Sequence, residues 1–448
     1  MNSGQVSDTY VMNPGLSIRA DAIDALVEYE SSTTSMKAIL REMQTTSADF
    51  PNFSFQTQSL SLSVIRFRNT IDYLITKSLG KRKLQDISSR DRNILRLALY
   101  EVRWVHADLD KTMSFYSKIK ESYKSEFEHA ISMDLDDSTK RMPILNRLSL
   151  KHSHPTFLVK TLLDRLTHEE TNQLLKSNNQ KRTYYLRPNR LYDGHDSVLD
   201  SINEAQLTID PDVPEVSRIV EGVDSVVKSQ LFKDGRVLIQ DKASVVTVNA
   251  LGPQPGQKIW DACAAPGMKT QLIAERLNGK GEIVASDVYA DRVKIGSARS
   301  EQLNVTNVEW IHADATNPEI LDADKILIDA PCTSTGILQA YPSFKWRLNK
   351  DTLFALMTIQ NKILDAIFSA YADRPGTEIV FSTCSILPHE GESQIDSAMK
   401  RHNIELLSPP DYGVPGYTGF NCTKLVRRLF PHRHSCSGFF IARLRIKH

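Results

Sequence analysis

From residue 235 onward the chain alternates short β-branched runs with segments of helical period, and this constrains its fold more than any other feature. The runs are 258–263, 282–287, 308–313, 325–329, 378–382 and 439–446. The helical segments between them begin near Lys269, Ala290, Thr352 and Ser393. Parallel strands need long crossovers, which helices supply, so the expected fold is α/β, a Rossmann-like and mostly parallel sheet. Such a sheet brings the carboxyl ends of its strands to one edge, where ligands bind.

The preceding half reads differently. From 17 to about 150 apolar residues recur at three and four, as in Ile18, Ala22, Ile23, Leu26 and Val27, or Ile94, Leu95, Ala98, Leu99 and Val102. Ser88 is placed to cap the latter helix, with Asp91 three residues on, much as in a capping box. An all-α domain of five or more helices over 1–150 is therefore expected. A small α+β lead-in follows over 151–234, with strands at 183–186 and 205–210 and helical or turn-like segments at 197–203 and 214–220. The α/β domain occupies 235–448. At 448 residues the chain is too long for one ordinary core.

Composition excludes several classes. Hydrophobic content of 41% with 24% charged residues fits a globular protein, and no stretch reads as a bilayer span or secretory leader. The five cysteines form no Cys-x-x-Cys pair, which disfavours a disulfide framework or zinc site and suits a reducing cytoplasm. A net charge of +1 argues against holding nucleic acid by charge alone.

Three loops at predicted strand ends carry the chemistry. The first is Asp261, Ala262, Cys263, Ala264, Ala265, Pro266, Gly267, Met268, Lys269 and Thr270, a strand–turn–helix junction that brings backbone close to a nucleotide-type cofactor. Asp287 closes the second run 20 residues beyond Gly267, where a carboxylate accepts from ribose hydroxyls, and Asp314 is placed to meet an adenine amino edge. A single glycine is too few for a pyrophosphate binder and favours S-adenosylmethionine. Nicotinamide enzymes share much of this pattern.

The other two loops are Asp329-Ala330-Pro331-Cys332 and Ser382-Thr383-Cys384-Ser385. Two thiols delivered to one rim suggest covalent chemistry on an electrophilic carbon. Carbon 5 of cytosine is a poor nucleophile until a thiolate adds to carbon 6, after which the enamine can accept a methyl group. That chemistry needs a thiolate, a group on the ring edge (Asp329 is in reach) and a cation such as Lys269 to balance it. An ordinary thiol has a pKa of about 8.5, so the site must lower it or accept a small thiolate fraction. A lone cysteine is usually a small buried hydrophobe; Cys422 and Cys436 read as such, and Cys263 as packing plus backbone contact. His432, Arg433 and His434 read either as a solvated loop or as a contact to RNA phosphate.

Taken together, Leu238 to Ser244, the Ala-Ala-Pro-Gly-Met-Lys-Thr loop, Asp-Ala-Pro-Cys, Lys345-Trp346, Ser-Thr-Cys-Ser and Gly438-Phe439-Phe440 resemble the Sun-family RNA cytosine-5 methyltransferases. Thr70 to Ile75 and Leu97 to Glu101 are similar to a NusB-type RNA-binding domain. The resemblance implies that Cys384 is the nucleophile and that Cys332 assists later steps and release. It further implies cofactor contacts from Cys263 through Lys269, Asp287, Asp314 and Asp329, and no metal. Met268 stands where the family usually has glycine; His389 and Gly391 depart from the usual Pro-Glu-Glu-Asn run, leaving Glu390 as the matching acid. The implied partner is structured RNA, foremost ribosomal, with a monomeric enzyme acting in the cytoplasm. Transfer RNA as substrate, or an inert methyltransferase fold serving as an assembly factor, are the alternatives. Arg66, Arg68, Lys77, Lys81, Arg82, Lys83, Arg90 and Arg92 form a basic stretch that is either an RNA-binding face or a solvated helical one.

Overall fold

Helices with one apolar face build the N-terminal unit, the longest being Pro14–Ser31, Phe55–Ser78 and Ser89–Trp104. The computed structural model describes residues 14–46, 55–203 and 205–448. Two compact units emerge: Met1–Leu163 with Tyr341–Arg347, and Asp164–Ala340 with Leu348–His448. The helical unit thus runs past the expected boundary at 150, through helix Thr156–Leu163. Ala22, Leu26, Ile71, Leu74, Leu95, Ala98 and Leu99 form its interior, while Ile94 and Val102 stay partly exposed. The Ser88 hydroxyl accepts from the Asp91 amide at 3.1 Å, as the cap requires.

The segment Tyr341–Arg347 belongs to this unit although its sequence lies within the α/β region. Lys345 is fully buried; its Nζ donates to the carbonyls of Arg66 (3.1 Å) and Ser153 (3.0 Å), and burial pushes its pKa well below the usual lysine range. Trp346 Nε1 donates to the Ile65 carbonyl at 2.7 Å.

Arg96 is buried between Asp72 and Glu30. Burial works to raise Glu30, yet bonds from Arg92, Ser89 and Arg96 hold it at about 2. Its folded pKa lies below its unfolded one, so its contribution is complete above about pH 4.5 and is lost as pH falls toward 2. Melting temperature should therefore drop through that window, and Glu30→Gln should flatten the drop. An acid slope unchanged in the variant would assign it to other carboxylates.

In the second unit, β1 (Tyr184–Pro188), β2 (Gln206–Ile209), β3 (Ser217–Glu221) and β4 (Val237–Ile239) form an antiparallel sheet in the order β2-β3-β1-β4. The segment 214–220, expected to be helical or turn-like, mostly enters β3: Ser217 and Ile219 point inward with period two. The segment 197–203 overlaps a 3₁₀ turn, His195–Ser201.

The larger sheet contains β5 (Lys258–Asp261), β6 (Glu282–Asp287), β7 (Val308–His312), β8 (Lys325–Asp329), β9 (Glu378–Thr383), β10 (Ile404–Leu406), β11 (Val414–Pro415), β12 (Val426–Leu429) and β13 (Phe439–Ile446). Its order is β11-β12-β13-β9-β8-β5-β6-β7, with β10 beside the far half of β13. β5 to β9 are mutually parallel, and β10 to β13 add antiparallel pairs. The three extra strands are too short to carry a readable period.

Both faces of the parallel block are apolar, as crossover helices demand. Trp260, Ile326, Ile328, Ile379 and Phe381 face one layer; Ile259, Leu327 and Val380 face the other. Helix Lys350–Ala370 corrects one expectation, because it is long and apolar enough by composition to cross a bilayer. Here it is a core helix that buries Leu353, Gln360, Ile363, Leu364, Ile367 and Phe368.

Candidate active site

Chain order reverses at β5, which has β6 on one side and β8 on the other, so a crevice opens at the carboxyl ends of β5 and β8. The predicted cofactor loop leaves β5 here. Gly267 has φ +96° and starts helix Met268–Leu277; a Cβ there would stand 3.1 Å from the Trp310 ring. Both facts require glycine. Arg292, which sequence reasoning missed, donates to the Ala265 carbonyl at 2.5 Å and pairs with buried Asp287 at 3.2 Å. Gln240 Nε2 donates to the Met268 carbonyl at 3.0 Å and its Oε1 accepts from Arg187 at 2.6 Å, steadying the loop from behind.

Cys263 lies beyond the end of β5, not inside the strand, and burial pushes its thiol well above the usual range. Asp261 ends β5, and burial pushes it up to about 7. Its Oδ2 accepts from Thr270 at 2.8 Å, while buried Oδ1 has no protein partner. Asp314 is exposed, and its Oδ1 accepts from the Thr316 amide at 2.9 Å. Asp261, Asp287, Asp314 and Asp329 thus sit at or just beyond four adjacent strand ends. This acidic edge suits a cationic ligand with free hydroxyls and repels a phosphate. It fits S-adenosylmethionine, a sulfonium that also carries an ammonium group.

β8 and β9 are paired in register, Asp329 beside Ser382, so the loops after them run side by side. The sulfurs of Cys332 and Cys384 stand 3.3 Å apart, both residues are partly accessible, and neither is in a disulfide. Lys269 Nζ donates to Asp329 Oδ2 at 2.6 Å, and the Ser382 hydroxyl donates to Oδ1 at 2.8 Å. Burial works to lower Lys269, but the Asp329 charge and hydrogen bond outweigh it and hold the ammonium above its ordinary value. The bond from Cys332 holds Cys384 below the ordinary thiol range, against burial and the Asp329 charge, with help from Ser334 and Lys269. Cys332 is pushed well above that range by its bond to Cys384 and by burial. Of the two thiols, Cys384 is the more acidic.

The main chain enforces this approach. Gly336 N donates to the Cys384 carbonyl at 2.9 Å, and Gly438 N to the Gly336 carbonyl at 2.8 Å. A Cβ on Gly336 would meet the Gly438 carbonyl oxygen at 1.9 Å, so no side chain fits. The sequence offered no signal for this contact beyond the glycines themselves.

His432, Arg433 and His434 form a helical turn, Pro431–His434, and not a solvated loop. Burial holds His432 down to about 4, so it is neutral at pH 7, and Arg433 is paired with Glu170. This turn presents no free cation to a phosphate. Cys422 and Cys436 are buried. In the helical unit, Arg68, Arg82, Arg90 and Arg92 pair with Asp72, Glu126, Asp24 and Glu30. Arg66 is largely buried, and Lys77 lies 5.8 Å from the Tyr73 ring. Lys81 and Lys83 remain exposed beside a polar groove of about 870 Å³ lined also by Arg68, Arg92 and Trp346.

A doubly wound sheet with an acidic nucleoside-type edge and two adjacent thiols at its rim has the architecture of an S-adenosylmethionine-dependent methyltransferase. Comparison with known proteins agrees. Residues 248–445 match the family model "16S rRNA methyltransferase RsmB/F", and residues 16–112 match the NusB family. A ribosomal RNA small subunit methyltransferase B from Photorhabdus laumondii is 29% identical over 96% of this chain and 97% of its own. The human 28S rRNA (cytosine(4447)-C(5))-methyltransferase is 30% identical over 69% of this chain and 40% of its own. A methyltransferase homolog protein from Pyrococcus horikoshii superposes with a TM-score of 0.61 at 28% identity, over 68% of this chain and 99% of that one. The chain belongs to the Sun family, the RsmB/F-type rRNA cytosine-5 methyltransferases, and carries a NusB domain at its N-terminus.

Proposed function

We propose that this protein methylates carbon 5 of a cytosine in small-subunit ribosomal RNA, in the cytoplasm, through a covalent bond between Cys384 and carbon 6. The observation that carries this reading is the 3.3 Å approach of the two sulfurs beside the Lys269–Asp329 pair. The residues suited to hold S-adenosylmethionine are the loop Cys263 to Lys269, with Asp287 for the ribose, Asp314 for the adenine and Asp329 near the reacting centre. The cofactor supplies an electrophilic methyl group.

The Cys384 thiolate forms the bond to carbon 6, and the ring electrons move to carbon 5. Asp329 accepts from the exocyclic amine while Lys269 balances its charge. Cys332 is held protonated chiefly by its bond to the Cys384 thiolate and by burial. Once that thiolate is alkylated the hold is released; Cys332 gives its proton to solvent, and the thiolate so formed takes the proton from carbon 5. Expulsion of Cys384 as thiolate then restores the aromatic ring.

Bisulfite mapping of RNA from a deletion strain tests the assignment: one small-subunit cytosine should become unprotected. A change confined to transfer RNA would move the substrate there, and unchanged maps with inert purified protein would leave an assembly factor. Within the basic stretch Arg66 to Arg92, Lys81 and Lys83 are exposed beside the groove and suited to meet phosphate. Their joint change to glutamine should reduce the salt slope of RNA binding by about 1.5 and raise KM for RNA, with kcat hardly moved. An unaltered slope would make these lysines a solvated face.

A further inference from the structure

Glu390 ends the 3₁₀ turn Pro388–Glu390 just beyond the Cys384 loop, and it is completely buried. Two residues on, Glu392 has its buried partner Arg428, with Nη2 to Oε2 at 2.6 Å. Glu390 is held by neutral donors instead. Its Oε1 accepts from the Thr333 amide at 2.8 Å and from Gln360 Nε2 at 3.1 Å, and its Oε2 accepts from the Thr333 hydroxyl. Gln360 Nε2 also donates to the Pro331 carbonyl at 2.8 Å, and the Thr383 hydroxyl donates to the Glu390 carbonyl at 3.0 Å. Pro331 and Thr333 bracket Cys332, and Thr383 precedes Cys384. One buried side chain and its own main chain therefore grip both thiol loops from beneath.

Hydrogen bonding alone does not require a charge there. A buried carboxylate with no counter-charge is costly, and a neutral acceptor could hold the Thr333 amide. The anion has a use if it acts on the sulfur beside it. We propose that Glu390 is a positioning residue that makes the two thiols inequivalent: it locks the Cys332 loop against the Cys384 loop, and its charge keeps their shared proton on Cys332, leaving Cys384 free to attack. This rests on Cys384 being the nucleophile.

The surrounding charges agree. Lys269, Asp329 and Ser334 face Cys384; Glu390, raised by burial against bonds from Ser385, Thr333 and Gln360, is the carboxylate whose charge acts on Cys332. Arg428 reaches the carbonyls of Ser385 and Leu387 but is neutralised by Glu392. His389, next in the chain, is lowered by burial and by Arg165, and so is neutral at pH 7.

The test is alkylation of the full-length protein by iodoacetamide across a pH series, with each cysteine peptide quantified by mass spectrometry. In the wild type Cys384 should label first. In Glu390→Gln the Cys332 midpoint should fall by about one pH unit, and the roughly tenfold preference for Cys384 should shrink toward parity. Turnover should fall, with KM for the cofactor unchanged. Unmoved midpoints in a folded variant would overturn the proposal. Thr333→Val gives a second reading, since it removes one donor and leaves the charge. The labelling order should then persist while turnover drops; loss of that order would put packing in place of charge and overturn the proposal even if Glu390→Gln did not fold. Cys332 labelling first in the wild type would instead sink the nucleophile assignment itself.

Discussion

Cys384→Ala abolishes methyl transfer, by roughly a thousandfold or more, while cofactor binding stays nearly intact. That scale follows from removing the covalent nucleophile, which no neighbouring group can replace in place. Cofactor binding survives because the loop from Cys263 to Lys269 and Asp287 are held by other contacts, among them Arg292 to Ala265 at 2.5 Å and Gln240 to Met268 at 3.0 Å. Transfer of a labelled methyl group to RNA, with isothermal titration of the cofactor, measures both quantities. Activity near that of the wild type would return the nucleophile's role to Cys332. In the unmodified enzyme the rate should rise with pH and level off below the ordinary thiol range, because Cys384 is held below it.

Cys332→Ala has a different signature: a covalent protein–RNA adduct through Cys384, seen as a slow band under denaturing conditions. Two effects oppose one another in this variant. Losing the bond from Cys332 raises the Cys384 pKa and slows attack, since that bond is the largest influence holding it down. Losing the base that takes the carbon 5 proton blocks the exit almost completely. The second effect dominates at long times, so the adduct forms slowly and persists, and turnover falls by about 10² or more. Cys332→Ser separates the two, because a hydroxyl still donates to Cys384 but is too weak an acid to become the base. It should form the adduct faster than the alanine variant does. Full loss of turnover with no adduct in either variant would mark Cys332 as the attacking thiol.

The α/β class was legible because β5, β6, β8 and β9 are buried on both faces and read as short apolar runs with polar loops after them. The lead-in was less so. β3 was hidden because it is only five residues long and just two of them are buried, which falls short of a readable period. The basic stretch from Arg66 to Arg92 shows the same limit for charge. Four of its arginines are neutralised by Asp24, Glu30, Asp72 and Glu126, and Glu126 in particular is far along the chain from Arg82.

The sequence by itself determined which residue types arrive at the sheet edge, since strand periodicity and the loops that interrupt it are local properties. It therefore named Asp287, Asp329, Cys332, Cys384 and Lys269 with no coordinates. Tertiary structure alone decided which of them meet, because contacts between strand ends depend on sheet order and register. Cys332 and Cys384 are 52 residues apart and Lys269 and Asp329 are 60, and only the β5–β8–β9 order closes those gaps to 3.3 and 2.6 Å. Burial likewise belongs to the folded chain. It sets Glu390, the matching acid of a diverged motif, beneath the Cys332 loop, and it places Lys345 and Trp346 in the helical unit although their sequence lies within the α/β region.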